Sequence, residues 1–154
     1  MDYITVKWLH ILSSTLLFGT GIGTAFYLFL ATLTKNPLIV ATVGKHVVTA
    51  DWLFTATTII IQPVTGFYLI HLAGIPLTSS WIVWSISLYL LMAACWIPVV
   101  WLQIRMQRLA ADANEKNMRL PVLYWRYFRM WVTLGIPALV AILIIFYLMV
   151  AKPA

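Results

Sequence analysis

An apolar segment near the N-terminus carries two side chains that could support chemistry, Lys7 and His10, one helical turn apart. At about 100° per residue, Ser14 and Gly21 fall within about 40° of the His10 direction on a helix. Imidazole is the commonest metal ligand among side chains, and histidines on helices hold haem iron in bundles. We therefore predict that His10 ligates haem b. Ser14 and Gly21 would leave room for the macrocycle, and Lys7 would neutralise a propionate.

A second axial ligand is available at His71, near the end of the second apolar segment. Because consecutive membrane helices run antiparallel, His71 falls in the same half of the bilayer as His10. A haem held by His10, with or without His71, would transfer electrons and would require a respiratory or redox partner. The alternative is that His10 only hydrogen-bonds a neighbouring helix. The chain would then be a cofactor-free accessory or scaffold subunit.

The second apolar segment also carries polar side chains at the spacing i, i+4, i+7 and i+11: Asp51, Thr55, Thr58 and Gln62. This spacing places them on one helix face. Lipid cannot satisfy their hydrogen bonds, so we expect the face to point into the bundle or a wet cavity. An ion pair with Arg126 or Arg129 would explain how the carboxylate is tolerated. A third hypothesis makes this stripe the pathway of a small carrier.

Composition indicates the elements that must hold these side chains. Of the 154 residues, 63% are hydrophobic and 9% are charged, against about 25% charged residues in soluble domains. Each apolar segment is long enough for the roughly 20 residues that cross a bilayer. The predicted fold is an all-α integral membrane four-helix bundle forming one domain, residues 1–154. The expected helices cover about 5–33, 47–73, 81–104 (extending to about 112) and 122–151.

The basic residues predict the orientation of this bundle. Two lie near the termini, Lys7 and Lys152, and eight lie in or beside the first and third connections: Lys35, Lys45, Arg105, Arg108, Lys116, Arg119, Arg126 and Arg129. Lys and Arg concentrate on the cytoplasmic side of membrane proteins. We therefore expect both termini in the periplasm and a location in the bacterial inner membrane. Nucleic-acid binding is not expected, because the basic residues flank membrane helices and form no separate domain.

Small residues suggest how copies or partners could associate. Gly19 and Gly23 have the i, i+4 spacing that allows close helix contact in lipid, so a homodimer is plausible. The string "GTGIG" that contains them follows no strand and opens no new helix, which excludes a nucleotide-binding loop. Cys95 is the single cysteine and is expected to be a small packing residue.

Several stretches together resemble a known family. They are "HILSSTLLFGTGIGTAFY", "ADWLFT" followed by "QPVTGFYL", "CWIPVVWLQIRM" and "YWRYFRMW". These resemble the bacterial predicted integral-membrane family called domain of unknown function twenty-two sixty-nine, over essentially the whole chain. The resemblance implies a four-helix inner-membrane protein and supplies no biochemical activity.

A shorter resemblance concerns the start of the first helix. "VKWLHI" at 6–11 is similar to the opening of HemJ-type membrane protoporphyrinogen IX oxidases. That similarity implies a haem b ligand at the position of His10. The family also needs a lysine in a later helix, and residues 81–104 contain none. The similarity therefore supports haem binding and argues against the oxidase reaction.

Overall fold

Four long helices form the structure, a computed structural model that describes residues 1–153. They are α1 (Tyr3–Leu33), α2 (Pro37–Ala73), α3 (Ser80–Glu115) and α4 (Val122–Ala151). Each is long and apolar enough to cross a membrane, with mean hydropathy between 1.5 and 2.7 over its most apolar window. The prediction of an all-helical four-helix membrane bundle is confirmed. We call the end that holds both termini the terminal end and the opposite end the basic end.

Helix α1 begins at a side-chain cap. Asp2 accepts hydrogen bonds from the Thr5 backbone N–H at 3.3 Å and from the Thr5 hydroxyl at 2.6 Å. These bonds, the hydroxyl first, lower the pKa of the Asp2 carboxyl below its ordinary value of 3.8. An anionic cap also complements the positive N-terminal end of the helix dipole.

Helix α2 begins at Pro37, ten residues earlier than the predicted start at about 47. The Asn36 side chain caps it by accepting from the N–H groups of Leu38 and Ile39, at 3.0 and 3.4 Å. Pro37 then fits the first turn, because proline needs no N–H partner there. The connection expected between about 33 and 47 is therefore helical from Pro37 onward. An Asn-Pro start signal precedes an apolar stretch that is interrupted by Lys45 and His46.

Two irregularities interrupt α2 within the bundle. Residues Asp51–Thr55 form a π-helical turn, in which the Ala56 N–H donates to the Asp51 carbonyl. Further along, Pro63 lacks the N–H that would bond the carbonyl of Ile59. The hydroxyl of Tyr89 on α3 donates to that carbonyl and so replaces the missing bond. Both features occur where α2 faces its neighbours.

Each helix packs closely against the next one along the chain, so the close pairs are α1 with α2, α2 with α3, and α3 with α4. The α2–α3 contact is tight at Gly44, where an added Cβ would lie 3.2 Å from Cβ of Gln107. A hydrophobic core at the basic end includes Leu28, Leu102 and the fully buried Tyr124. This order leaves α1 and α4 to close the bundle.

Side chains join α1 and α4 at two separate levels. Near the terminal end, the rings of Phe18 and Phe146 meet edge to face with centroids 5.4 Å apart. Toward the basic end, the Phe29 and Phe128 rings lie 5.7 Å apart, and Thr32 and Tyr124 share a buried hydrogen bond of 2.7 Å. Between these levels the two helices are separated by a gap.

Candidate functional site

A cavity of about 420 Å³ occupies the gap and the bundle interior beside it. All four helices contribute to its wall, from Leu17 to Phe29 on α1, Asp51 to Ile59 on α2, Met92 to Gln103 on α3 and Trp131 to Ile142 on α4. At 1.5 Å per residue, the α1 part of the wall is about 18 Å long. Most of the lining side chains are apolar or aromatic.

Small residues on the two facing helices create the space. Gly21 and Ala25 line it from α1, and Gly135 and Ala138 line it from α4. A Cβ added at Gly21 or Gly135 would meet no atom within 4 Å. The cavity therefore exists because the sequence places residues without long side chains at these levels of both helices.

The mouth of the cavity lies between α1 and α4. Every exposed lining residue belongs to one of these two helices: Ile22, Phe26, Phe29, Ile136 and Leu139. The lining residues of α2 and α3 are buried or half-buried. Since α1 and α4 are membrane-spanning by length and composition, this mouth would open sideways into the lipid.

A polar cluster lies on the cavity wall opposite the mouth, formed by Asp51, Thr55 and Gln103. Asp51 is only 4% exposed, and its Oδ1 accepts from the Thr55 hydroxyl at 3.0 Å. The side chain of Gln103 on α3 lies near the same carboxyl. We call these three residues the Asp51 cluster. Both Asp51 and Thr55 belong to the π-helical turn of α2, which packs against α1.

The arginines expected to pair with this carboxylate are elsewhere. Arg126 and Arg129 are both exposed on α4, whereas Asp51 is buried with neutral partners. In place of the predicted ion pair, the carboxyl has a hydrogen bond from Thr55 and the neutral side chain of Gln103 nearby. Long arginine side chains at the end of a membrane helix reach toward water and headgroups, which explains their position.

Three polar atoms on lining residues have no hydrogen-bond partner within residues 1–153. They are Nε1 of Trp96, Nε1 of Trp131 and Oε1 of Gln103. Gln103 and Trp131 are 5% and 6% exposed, so bulk water does not reach them freely. A buried indole N–H usually finds an acceptor. Each of these three atoms is enclosed by neighbouring protein atoms.

His10 belongs to a second polar cluster, nearer the terminal end and outside this cavity. Its Nδ1 lies 2.8 Å from the Thr65 hydroxyl oxygen, and its Nε2 lies 3.2 Å from the Gln62 amide nitrogen. The ring also packs on Gly66, where an added Cβ would be 3.2 Å from Cε1 of His10. Both side chains that hydrogen-bond this imidazole, Gln62 and Thr65, therefore belong to α2.

The hydrogen atoms of this His10 cluster can be assigned consistently. The Thr65 hydroxyl also contacts the Ile61 carbonyl at 2.8 Å, and a hydroxyl has one hydrogen to donate. If Thr65 donates to Ile61, then Nδ1–H of His10 donates to Thr65. The Nε2 lone pair then accepts from Gln62, so the neutral ring is fully hydrogen-bonded.

The arrangement around His10 does not fit the haem predicted from the sequence. Nε2, the ring nitrogen that would bind iron, faces the Gln62 amide, and a small cavity that Gln62 lines measures only about 30 Å³. His71 is exposed and Lys7 lies over the Tyr3 ring. Two other predicted residues are engaged differently: Ser14 donates to the Ile11 carbonyl and Gly21 lines the large cavity. The structure does not gather the predicted haem residues around one macrocycle-sized space.

The polar stripe of α2 is divided between the two clusters. Asp51 and Thr55 belong to the Asp51 cluster, and Gln62 belongs to the His10 cluster. Between them, the buried Thr58 donates to the carbonyl of Phe54 at 2.7 Å. At 1.5 Å per residue, the Asp51 and Gln62 ends of the stripe are about 16 Å apart. The stripe thus links two distinct hydrogen-bonded sites.

Most lining residues were not predicted from the sequence, among them Trp96, Gln103 and Trp131. A signal for the α3 part of the wall was present, because Met92, Trp96, Val99 and Gln103 have the same i, i+4, i+7, i+11 spacing as the stripe on α2. Two matching stripes on adjacent segments favour helices that face each other. No such spacing in the sequence indicated that Trp131 lies in the interior.

Comparison with known proteins places the chain in a family. The family described as predicted integral membrane protein (DUF2269) matches residues 4–153. The chain belongs to DUF2269. Membership confirms the resemblance seen over the whole sequence and agrees with the multi-pass membrane fold, but the DUF2269 description assigns no activity.

No curated protein and no solved structure matches this DUF2269 chain. The similarity of residues 6–11 to HemJ-type oxidases therefore rests on those residues alone.

Proposed function

We propose that this DUF2269 protein binds a lipophilic molecule that enters its interior sideways from the bilayer. The observation that carries the proposal is the 420 Å³ cavity, whose exposed lining residues lie on α1 and α4 alone. Its volume lies within the roughly 300–1,000 Å³ of small-molecule sites. Such a protein could act as the small carrier considered above, with the Asp51 end of the polar stripe as part of its binding site.

The polar part of the cavity wall should decide which lipophilic molecule binds. Moving an apolar tail from lipid into an apolar cavity gains little, because acyl chains are as apolar as the lining. Hydrogen bonds and close packing must therefore supply most of the binding free energy. The Asp51 cluster provides polar groups for such bonds in a region from which water is largely excluded.

Filling the cavity tests this proposal. Protein purified in mild detergent is extracted with organic solvent, and the extract is analysed by mass spectrometry. Wild type should carry a lipophilic compound that Gly135→Leu loses, because the leucine side chain would occupy open space in the wall. Gly19→Leu is the matched control, since Gly19 is exposed and lies outside the lining. Equal retention by Gly135→Leu and wild type would contradict the proposal.

Haem b ligation by His10 is the competing proposal from the sequence. It requires the Gln62 amide to leave Nε2, which is 3.2 Å away. An absorption spectrum of purified wild type beside His10→Ala and His71→Ala decides it. A Soret band that His10→Ala abolishes would establish haem, whereas protein that stays colourless after haemin addition would remove it.

The third proposal, a cofactor-free scaffold subunit, concerns association with other chains. Gly19 and Gly23 meet nothing within 4 Å of an added Cβ, so their face is unoccupied by the rest of residues 1–153. A homodimer through that face would be disrupted by Gly23→Leu in cross-linking experiments. Cross-linking that is unchanged in this variant would exclude the glycine face.

We also propose that the basic end faces the cytoplasm of a bacterial inner membrane. The eight basic residues in or beside the first and third connections support this orientation. Alkaline phosphatase fused to the C-terminus should be active, because it folds only in the periplasm. Activity from a fusion at the third connection instead would reverse the orientation.

A further inference from the structure

We infer that the cavity takes a lipophilic amine, whose ammonium group donates a hydrogen bond to Oδ2 of Asp51 and pairs with this carboxylate. The hydrocarbon part of the amine would lie between α1 and α4. This inference deepens the proposed function and rests on it, because it names the class of molecule that the same cavity would select. Three features of the site carry it: a free carboxyl oxygen, the charge of the wall, and the placement of polar and apolar groups.

The carboxyl of Asp51 has one oxygen that a ligand can reach. Oδ1 accepts from the Thr55 hydroxyl at 3.0 Å, and no hydrogen bond within residues 1–153 involves Oδ2. The unpaired polar atoms that neighbouring protein atoms enclose include neither carboxyl oxygen of Asp51. Oδ2 therefore keeps accessible surface in a residue that is only 4% exposed and lines the cavity.

The charge of the wall selects a cation over an anion. Asp51 is the one acidic side chain among the lining residues of the described chain, and none of them is Lys, Arg or His. A fatty-acid carboxylate or a phospholipid phosphate would be buried without a positive partner and beside another acid. An ammonium group has the complementary charge, and charge-assisted hydrogen bonds are roughly twice as strong as neutral ones.

Pairing reduces the cost of placing either group at membrane depth. An isolated carboxylate and an isolated ammonium group are each expensive to bury, whereas a hydrogen-bonded pair is neutral overall. A neutral amine that meets the acid form of Asp51 can take its proton, so that an N–H bond forms as the O–H bond breaks. The ammonium group then donates to Oδ2, and the Thr55 hydroxyl continues to donate to Oδ1.

An inorganic cation fits this site poorly. Ca²⁺ takes six to eight oxygen ligands, and Mg²⁺ demands a near-ideal octahedron. Within residues 1–153, no group of three or more His, Cys, Asp or Glu side chains could hold a metal ion. The amide oxygen of Gln103 is enclosed, so it is not available as a further ligand. A cavity of about 420 Å³ with a largely apolar wall suits a carbon skeleton instead.

The polar and apolar groups are placed as such an amphiphile requires. The Asp51 cluster lies opposite the mouth, and the exposed lining residues at the mouth are all apolar. A molecule that enters from lipid would thus bring its ammonium group to α2 and leave its hydrocarbon between α1 and α4. Aromatic rings attract cations, and five lining residues are aromatic: Phe18, Phe26, Phe29, Trp96 and Trp131.

A matched pair of fluorescent probes tests the inference. 1-Pyrenemethylamine and 1-pyrenemethanol share one flat ring and differ in the group that would meet Asp51. Each is titrated into the full chain in phosphatidylcholine nanodiscs, whose surface has no net charge to concentrate the amine. Energy transfer from tryptophan to pyrene reports the saturable binding. Wild type should bind the amine about tenfold more tightly than the alcohol, because hydrogen bonds between charged groups are stronger.

One substitution in the cavity should remove this preference. Asp51→Asn keeps the shape of the side chain without its charge, so the affinities for the amine and the alcohol should become equal. Retained binding of the alcohol also shows that the variant is folded. Asp112→Asn is the matched control, because Asp112 is an exposed acid on α3 outside the lining. This control should keep the preference of wild type for the amine.

Two results would overturn the inference. One is equal affinity of wild type for the two probes, and the other is a preference for the amine that persists in Asp51→Asn. Either result leaves the proposed function standing if Gly135→Leu abolishes the saturable binding of both probes. Binding that Gly135→Leu does not affect would instead reject the cavity as the binding site, and the proposed function with it.

Discussion

The amide nitrogen of Gln62 on α2 lies 3.2 Å from Nε2 of His10 on α1, so α2 occupies the ring nitrogen that a haem iron would need. On the opposite side of the ring, Nδ1 lies 2.8 Å from the Thr65 hydroxyl. Two interhelical hydrogen bonds therefore join α1 to α2 across Pro63. This relationship makes His10 a connector of helices in the structure.

Removing the imidazole should consequently affect stability. His10→Ala breaks both bonds, and interhelical hydrogen bonds in membranes are worth about 0.6 kcal/mol each, up to about 1.7. We expect the free energy of unfolding to fall by about 1–2 kcal/mol, measured by denaturation in detergent. His71→Ala should have no effect, since His71 is exposed. Unchanged stability in His10→Ala would contradict the connecting role.

The Tyr89 hydroxyl should stabilise the fold, because it replaces the backbone hydrogen bond that Pro63 on α2 cannot make. Tyr89→Phe leaves the Ile59 carbonyl without its donor, and we expect a loss of about 1 kcal/mol. In a Pro63→Ala background, the new backbone N–H can bond the same carbonyl, so Tyr89→Phe should cost less there. Thermal unfolding of the four proteins in this double-mutant cycle measures the difference. Equal losses in both backgrounds would show that the two groups are independent.

The Asp51 cluster should depend on hydrogen bonding more than on charge. Asp51→Asn keeps an oxygen that can accept from Thr55 and should preserve stability. Asp51→Leu should destabilise by about 1–3 kcal/mol, because it leaves buried polar partners unpaired. Unfolding in detergent distinguishes the variants, with the exposed Thr49→Val as the control. A large loss in Asp51→Asn would instead indicate that the negative charge itself is required.

The start of α1 should become less ordered in acid. Hydrogen bonds from Thr5 lower the pKa of Asp2 below 3.8, so the folded state favours the ionised carboxyl. The stabilisation is therefore present above the unfolded pKa and is lost as pH falls through the lower folded pKa. Amide exchange of the first turn should increase below pH 4, the region of the carboxyl titration. Asp2→Asn should remove this pH dependence, and a persistent dependence would assign it to another group.

Local sequence features predicted all four helices, but not every helix start. The apolar lengths specified four spans, and α1, α3 and α4 begin within a few residues of the expected positions. The start of α2 was missed, because Lys45 and His46 interrupt the apolar run of residues 37–50. The Asn36 cap followed by Pro37 is the local signal that marks the true start.

The sequence by itself determined a membrane-embedded bundle, since apolar runs of this length are stable only as helices in lipid. It also identified His10 and Asp51 as buried polar groups that need partners. Only the tertiary structure decided those partners: Gln62 and Thr65 for His10, Thr55 and Gln103 for Asp51. The physical reason is that a helical period specifies a face, whereas the neighbour of that face depends on how far each helix is shifted and rotated. The cavity arises in the same way, because small residues leave a space only where two helices bring them to the same level.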